Sequence, residues 1–389
     1  MVRFVSVEKT LSSLLRAGIC GEPVNEEIAE RIDAELLKQL YTVSNAHDLA
    51  HILGAALAKC GKLGDDECSR NFRGKALLAM SRYERINYDL HTICDALEQA
   101  GIPFIPLKGS VLRDYYPEPW MRTSCDIDVL VHKENLDAAT QVLRENLEYT
   151  PHMEGLHDVS FYSQSGVHIE LHFDLIEKGW AGSACEILKN VWDYATPKEG
   201  CQFHYALSDE MFYFYHIAHM AKHFEQGGCG IRSFFDLWIL DNIESADIAK
   251  RDALLAKGNL LKFTQTARRL TKVWFEGASH DSVTQRMEEY VIRGGVYGSK
   301  TNEIAALQKR KGGKWQYAFS RIVLPYDEIK YMYPFLQEHP WLTPFMQVFR
   351  WFRILFNNAT NAFKELSYNQ SISQKRMQEF RQFFEELGL

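Results

Sequence analysis

Eight consecutive residues, Val167-His-Ile-Glu-Leu-His-Phe-Asp174, alternate strictly between apolar and ionisable side chains. Only a β-strand places every second side chain on one face. The pattern predicts a strand over Val167 to Asp174, with Val167, Ile169, Leu171 and Phe173 turned to a core. His168, Glu170, His172 and Asp174 then share the other face. An entirely ionisable face is costly to bury without partners, so this one is expected to line a cleft.

The segment Asp126-Ile-Asp-Val-Leu-Val131 uses the same device. As a strand it projects Asp126 and Asp128 side by side, with Ile127 and Val129 on the core side. Two carboxylates held that close repel each other unless a cation sits between them. Hard oxygen ligands on a rigid strand suit Mg²⁺, which is often held by one or two carboxylates plus substrate phosphates. Glu170 could complete a three-carboxylate metal cluster with Asp126 and Asp128. Upstream, Phe104-Ile-Pro-Leu107 fits a short strand, and Gly109-Ser110 precedes a helix expected over Ser110 to Tyr116. The glycine allows close backbone approach, and a helix start presents free N–H groups to an anion. A phosphate cradle followed by metal-binding carboxylates is what phosphoryl or nucleotidyl transfer requires. Two metals about 3.5–4 Å apart can activate the attacking oxygen and stabilise the leaving one.

These residues carry a family resemblance. Gly-Ser, then Asp-x-Asp on a strand, then a later carboxylate on another strand, is similar to the nucleotidyltransferases of the DNA polymerase beta superfamily. More narrowly, Leu107-Lys-Gly-Ser110, Tyr116-Pro117, Pro119, Arg122, Asp126-Ile-Asp128-Val-Leu-Val131 and His168-Ile-Glu-Leu-His172 resemble the uncharacterised bacterial nucleotidyltransferase family. Glu170 stands where many relatives have Asp, a mild departure because both ligate metal. His219-Met-Ala-Lys-His223 with Arg232 and Asp236 resembles that family's helical His-x-x-x-His segment. Leu324-Pro325, Tyr331 and Tyr333-Pro334 resemble its C-terminal region, so the likeness is expected to run from about 70 to 355.

The resemblance implies roles. Asp126 and Asp128 would bind two Mg²⁺ or Mn²⁺ ions, and Glu170 would bind one of them and take the proton from the acceptor hydroxyl. Gly109 and Ser110 would hold the β- and γ-phosphates of a nucleoside triphosphate, with Lys108 and Arg122 as further phosphate contacts. His219, Lys222 and His223, at i, i+3 and i+4, share a helix face and would close over the triphosphate or the acceptor. The acceptor would be a small molecule, a protein side chain or an RNA end. The implied fold is α+β: a small mixed-sheet core at residues 101–200 between an N-terminal helical region (1–100) and a C-terminal helical domain (201–389).

The rest of the chain fits that frame. Residues 1 to about 100 contain one proline, Pro23, and their apolar residues recur at helical spacing. From Arg70 to Gly101 a long helix is predicted, with Leu77, Leu78, Tyr83, Ile86, Leu90, Ile93 and Leu97 largely on one face. A helix is also read over Lys133 to Leu147 and a strand over His157 to Gln164. Ser208 is a candidate cap for the helix that carries His219. Breaks in the helical C-terminal part are expected at Gly227-Gly228, Gly294-Gly295, Gly312-Gly313 and near Pro325, Pro334, Pro340 and Pro344. Lys309-Arg-Lys311 and Lys314 read as a solvated loop, with an RNA or phosphate contact as the alternative. Phe345 to Phe356, dense in aromatics, reads as a core helix, with a partner or membrane-surface groove as its rival.

Composition excludes some classes. The net charge of −7 leaves no bulk basic surface for coating DNA, so a nucleic-acid contact would need a local patch. No run of about 18 apolar residues predicts a membrane span. The start MVRFVSVEKTLSSLLRAG lacks a signal-peptide pattern. The eight cysteines form no C-x-x-C pair and read as reduced, mostly buried thiols of a cytoplasmic protein, Cys125 among them. His219 and His223 could also ligate zinc, but position 220 is Met where a metalloprotease has Glu. The rival from another class is a non-catalytic nucleotide- or partner-binding module, antitoxin-like or regulatory; a phosphohydrolase using the same metals is a third reading.

Overall fold

The computed structural model describes residues 2–155, 157–176, 182–294, 300–311, 314–357 and 374–389. The expected breaks at Gly295 and at Gly312-Gly313 lie outside the described residues. Five helices come first: α1 (Val2–Cys20), α2 (Glu26–Glu30), α3 (Ala34–Ala46), α4 (Ala50–Lys59) and α5 (Glu67–Gln99). The Asp66 carboxylate caps α5 by accepting the Ser69 N–H, and Gly101 in the left-handed region ends it. Ile86, Leu90, Ile93 and Leu97 of α5 are buried, whereas Leu77 and Leu78 are exposed. The core-facing stripe therefore excludes those two leucines.

The sheet follows: β1 (Phe104–Pro106), the single turn α6 (Gly109–Leu112), β2 (Asp126–Val131), α7 (Leu136–Gln141), β3 (Thr150–Glu154), β4 (Asp158–Tyr162) and β5 (His168–His172). The strand order is β1-β2-β5-β4-β3, and β2 and β5 are parallel neighbours while the other pairs are antiparallel. One face carries Ile127, Val129, Ile169 and Leu171 into a core shared with α5 and α7. Two sequence-predicted helices are shorter than expected. Ser110–Tyr116 is one α-turn followed by a 3₁₀ turn, and Lys133–Leu147 passes through 3₁₀, α and π segments. The edge strand β3 went unread because Thr-Pro-His-Met-Glu is exposed throughout and has no apolar alternation.

After α8 (Ser183–Leu188), a small hairpin of β6 (Ala195–Pro197) and β7 (Tyr205–Leu207) is pinned to α5. There the Glu98 carboxylate accepts the backbone N–H groups of Gln202, Phe203 and His204. The helical part comprises α9 (Asp209–Glu225), α10 (Ile231–Asp241), α11 (Ile248–Lys257), α12 (Leu261–Glu276), α13 (Ser282–Ile292), α14 (Lys300–Lys311), α15 (Lys314–Ile322), α16 (Tyr326–Met332), α17 (Thr343–Asn357) and α18 (Gln374–Leu387). Ser208 stands at the start of α9 but makes no side-chain cap; Asp209 instead pairs with buried Arg251. Lys309, expected in a loop, lies on α14 with its ammonium over the Phe384 ring. Pro344 sits in the first turn of α17, where a missing N–H costs nothing. The chain is thus α+β, with helices at both ends of a small mixed sheet. A single apolar core joins Leu14 and Leu53 from the N-terminal helices with Phe214, Phe263, Leu270 and Phe384 from the C-terminal ones.

His47 locks that junction. Its buried ring accepts the Ile231 N–H at Nδ1 (3.2 Å), which leaves Nε2–H to donate to the Ile292 carbonyl (3.2 Å). Both bonds need the neutral imidazole. Burial pulls its pKa down to about 4, against the opposing bond to Ile292. A histidine depressed in the fold supports stability above its unfolded pKa near 6.5, and that support is lost as pH falls through the folded value. Unfolding free energy measured by urea titration should therefore drop by roughly 3 kcal/mol through His47 alone between pH 6.5 and 4. His51 and His216, also depressed by burial, push the same way, whereas Glu8, raised to about 7 chiefly by burial, pushes the other way, so the His47 share is read from the difference between wild type and a His47 variant. His47→Gln, which can keep both bonds and does not titrate, should flatten the His47 share of that slope.

Candidate active site

Two parallel strands set the site. Their register places Asp126 opposite His168 and Asp128 opposite Glu170, so the ionisable residues of both strands fall on the face away from the apolar core. The chain leaving β1 bends over this face. The Leu107 N–H donates to the Asp128 carbonyl (3.0 Å), and Lys108 adopts φ +46°, ψ −120°. A side-chain residue held there stores about 1–3 kcal/mol of strain. The bend brings the Lys108 ammonium to 2.9 Å from Asp128 Oδ1.

That oxygen is claimed twice. His172 Nε2–H donates to the same Oδ1 at 2.8 Å and stands 3.3 Å from Glu170 Oε2. Asp128 and His172 are both buried. Burial opposes the Asp128 charge, but Lys108 and His172 outweigh it and hold the carboxyl well below the usual range. Burial likewise opposes the Lys108 charge, and Asp128 more than restores it. For His172, burial is overcome by its bonds to Asp128 and Glu170, which lift it to about 9. One ligand atom each from Asp128, Glu170 and His172 lies within 4.8 Å of the others, a donor set of two carboxylates and one imidazole. The Asp126 carboxyl is half-buried at the head of β2 and outside that group. Its pKa is raised by burial and by Asp128, so extra positive charge beside it would favour the ionised form.

The Gly109-Ser110 turn is built from below. Arg113, fully buried, donates from Nε to the Gly109 carbonyl (2.9 Å) and from its terminal nitrogen to Ser124 Oγ (2.9 Å). A Cβ at Gly109 would lie 3.0 Å from Ser124 Cβ, closer than side chains normally pack, so the turn sits directly on Ser124. Ser110 Oγ is buried and has no hydrogen-bond partner. An orphaned hydroxyl at this place fits a missing acceptor such as a phosphate oxygen.

The Arg122 side chain is largely withdrawn from solvent and already paired, although its Nη1 would stand 3.7 Å from a Cβ at Gly109. Its Nε donates to Asp236 Oδ1 at 2.7 Å, where the Tyr116 hydroxyl also donates at 2.7 Å. The pair ties the segment before β2 to α10 across 114 residues. Arg232 adds a second tie, donating to Asp48 Oδ2 (3.0 Å), which also accepts from Thr123 Oγ1 (2.6 Å). Arg122→Met would leave Asp236 as a buried carboxylate with one neutral donor. Such losses destabilise by about 3–5 kcal/mol, which equilibrium denaturation of the variant should show.

α9 contributes His219, Lys222 and His223. The two histidine rings meet Nε2 to Nε2 at 3.1 Å, so one carries the hydrogen and the other accepts it. Burial, then the charges of Lys108, His223 and Lys222, keep His219 neutral, its pKa well below normal. Lys222 is buried on the same helix. Among the described residues no third ligand joins the two histidines in a metal-binding group.

Lys108, Asp128 and Glu170, each expected at the site, meet there, and His172, expected only as one of four ionisable residues on its strand face, joins them. Arg113 and Ser124 are not among the expected site residues, because the contact between them joins positions 11 apart that no helical or strand spacing pairs. Asp128→His172 distance follows from register, since His172 is the next outward residue after Glu170. Cys125, expected to be buried, is exposed, with an Arg82 nitrogen 3.7 Å from its sulfur. Only Cys185 and Cys229 of the eight cysteines are buried, and all eight are free thiols. The reason is placement: most sit at helix ends and loops rather than on core-facing stripes.

A family profile described as "Uncharacterised nucleotidyltransferase" matches residues 33–276. The match spans every site residue named above and leaves Leu324 to Pro334 outside it. No curated protein and no solved structure matches the chain.

Proposed function

The chain belongs to the uncharacterised nucleotidyltransferase family, and from that premise we propose that it transfers a nucleoside monophosphate from a nucleoside triphosphate to an acceptor hydroxyl. The observation that carries this reading is the meeting of Asp128, Glu170 and His172 on one face of the sheet, together with the orphaned hydroxyl of Ser110 in the turn that follows β1. The carboxylates are suited to a divalent ion such as Mg²⁺ or Mn²⁺, with Asp126 joining once the ion's charge offsets its repulsion from Asp128. His172 could join them only after giving up its extra proton, and its imidazole would then widen the choice toward softer divalent ions. Bound there, an ion would supply charge stabilisation for the transferring phosphoryl group.

The protein's own groups account for the remaining tasks. Ser110 Oγ and the Gly109 turn receive phosphate oxygens, and the Lys108 ammonium, one bond from Asp128, is within reach of the same anion. Glu170, half-buried and beside His172, accepts the proton of the acceptor hydroxyl. The hydroxyl oxygen bonds to the α-phosphorus, the bond to the β-phosphate bridging oxygen breaks, and pyrophosphate leaves. His219, neutral, with Lys222 and His223, closes the site from α9. Arg122 and Arg113 act by positioning, since one holds Asp236 and the other holds Gly109.

One observation favours the non-catalytic reading: Lys108 and His172 already neutralise Asp128 without an ion. A single screen separates the two. Protein with Mg²⁺ or Mn²⁺ and each of four α-labelled nucleoside triphosphates is incubated with small-molecule, protein and RNA fractions of a cell extract. Transfer of label with pyrophosphate release, absent in Asp126→Ala/Asp128→Ala, supports catalysis and identifies the acceptor class. Nucleotide binding with no label transfer under any condition supports a binding module.

A further inference from the structure

The first half of α5 is basic in an acidic chain: residues 70–85 hold five basic residues and one acidic one, against a net charge of −7 for the whole. Arg70 and Arg73 are tied to backbone carbonyls near the helix start. Among the described residues, Lys75, Arg82 and Arg85 form no ion pair. Two turns and then one turn apart, these three share a flank of the helix. Glu84, two residues from Arg82, lies on the opposite side. Asp89, one turn beyond Arg85, is buried and already accepts from the hydroxyls of Tyr149, Ser163 and Ser165.

This stripe ends at the entrance to the active site. An Arg82 nitrogen lies 3.7 Å from the sulfur of Cys125, the residue before Asp126. Asp126 faces His168 in the sheet, and His168 faces Tyr162 on the next strand. Directly opposed residues of neighbouring strands point the same way, so this rung crosses the face that carries the carboxylates. Beyond Asp126 it is made of rings. The His168 and Tyr162 centroids are 5.1 Å apart, Tyr162 and His152 of β3 4.9 Å, and His152 and His168 6.0 Å. Tyr162 is 40% exposed and His152 is exposed, so no core explains this cluster. His168 Nδ1 stands 3.7 Å from Glu170 Oε1, the carboxylate read above as taking the acceptor's proton.

Unpaired cations on one side of an entrance and solvent-facing rings on the other are the two parts of a single-strand site: cations follow the phosphates, and rings stack on bases. The stripe from Lys75 to Arg85 runs about 15 Å along the helix, more than one phosphate group can answer. A protein acceptor offers neither a regular row of anions nor a stack of planar bases. Resting on the transferase reading, we infer that the acceptor is the end of a single-stranded polynucleotide. Its phosphates follow Lys75, Arg82 and Arg85, its last bases stack on His152, Tyr162 and His168, and its terminal hydroxyl reaches Glu170.

The test is binding without metal or nucleoside triphosphate, read by fluorescence anisotropy of labelled ribo- and deoxyribo-strands of about 12 nucleotides over a range of salt. The full-length wild type should bind single strands, more weakly as salt rises, and a duplex of the same length about tenfold less well. Arg82→Gln/Arg85→Gln should weaken binding about tenfold and flatten the salt slope. His152→Ala/Tyr162→Ala should weaken it about tenfold and leave the slope unchanged. Arg85→Gln and His152→Ala, each a single exposed change, carry the same comparison if circular dichroism shows a double variant misfolded. Preference for the ribo- or the deoxyribo-strand names the acceptor, and either supports the inference. No binding of either strand, equal binding of duplex, or wild-type affinity in either kind of variant overturns it. Label transfer in the extract screen without strand binding sinks this inference alone. Strand binding without label transfer sinks the transferase reading and leaves the binding surface standing.

Discussion

Asp128→Asn protein should transfer no detectable nucleotide, a loss on the order of a thousandfold or more, and should no longer be stabilised by Mn²⁺ in a thermal-shift titration. Asp128 is the most heavily engaged carboxylate of the site: one oxygen accepts from both Lys108 Nζ and His172 Nε2. An amide keeps the shape but removes the charge that an ion and both cations answer to. A spectroscopic consequence separates this from unfolding. His172 owes its raised pKa to bonds with Asp128 and Glu170 that overcome its burial. Without the Asp128 charge, burial should dominate, and the ring should titrate well below about 9 when followed by NMR. An active Asp128→Asn enzyme, or one that still binds Mn²⁺ normally, would remove this carboxylate from the chemistry.

The site was partly legible because strand alternation is a geometric rule. Val167–Asp174 and Asp126–Val131 could hardly be read as anything but strands, and β2 occupies the span the alternation sets out. Which two strands lie side by side is not a local property. The parallel pairing of β2 with β5, which puts Asp128 against Glu170, depends on the whole sheet order. The same limit hid Arg113: Gly109 is only four residues before it, but Ser124 is brought against it by the path of the chain. Arg122 read naturally as a phosphate contact from its place before Asp126. Its partner Asp236 is 114 residues away, and only packing reveals that the guanidinium is already paired.

The helices show a different limit. Hydrophobic periodicity identifies a helix but not which side it buries. In α5 the stripe of Ile86, Leu90, Ile93 and Leu97 is buried, yet Leu77 and Leu78 in the same helix are exposed. In α17 the error is complete. An aromatic-rich helix with a narrow polar side reads as a core helix, and the structure buries the polar side instead. Periodicity is symmetric under that exchange, so a sequence window cannot choose between the two packings. The backbone carbonyls of Ile322 and Leu324 make the choice here, because they need the donors that Arg350 and Gln347 carry.

Lys108 offers the sharpest separation of binding from turnover. Its ammonium sits 2.9 Å from Asp128 Oδ1, on a lone pair that an incoming divalent ion would also require. In Lys108→Met that competition is gone, and the carboxylate is left with His172 alone. Mn²⁺ affinity measured by calorimetry without nucleotide should therefore rise, by about tenfold if the displaced contact is an ordinary charge-assisted bond. Transfer should fall by roughly 100-fold all the same, because the cation proposed to meet the departing pyrophosphate is lost. Opposite movement of these two quantities is not what general damage to the site would produce, since damage lowers both. Lys108→Gly adds a control on the backbone. Glycine adopts φ +46° without the penalty a side chain incurs there, so it should be about 1 kcal/mol more stable than Lys108→Met and equally poor in transfer. Weaker Mn²⁺ binding by both variants would instead make the lysine a support for the metal site rather than a rival for Asp128.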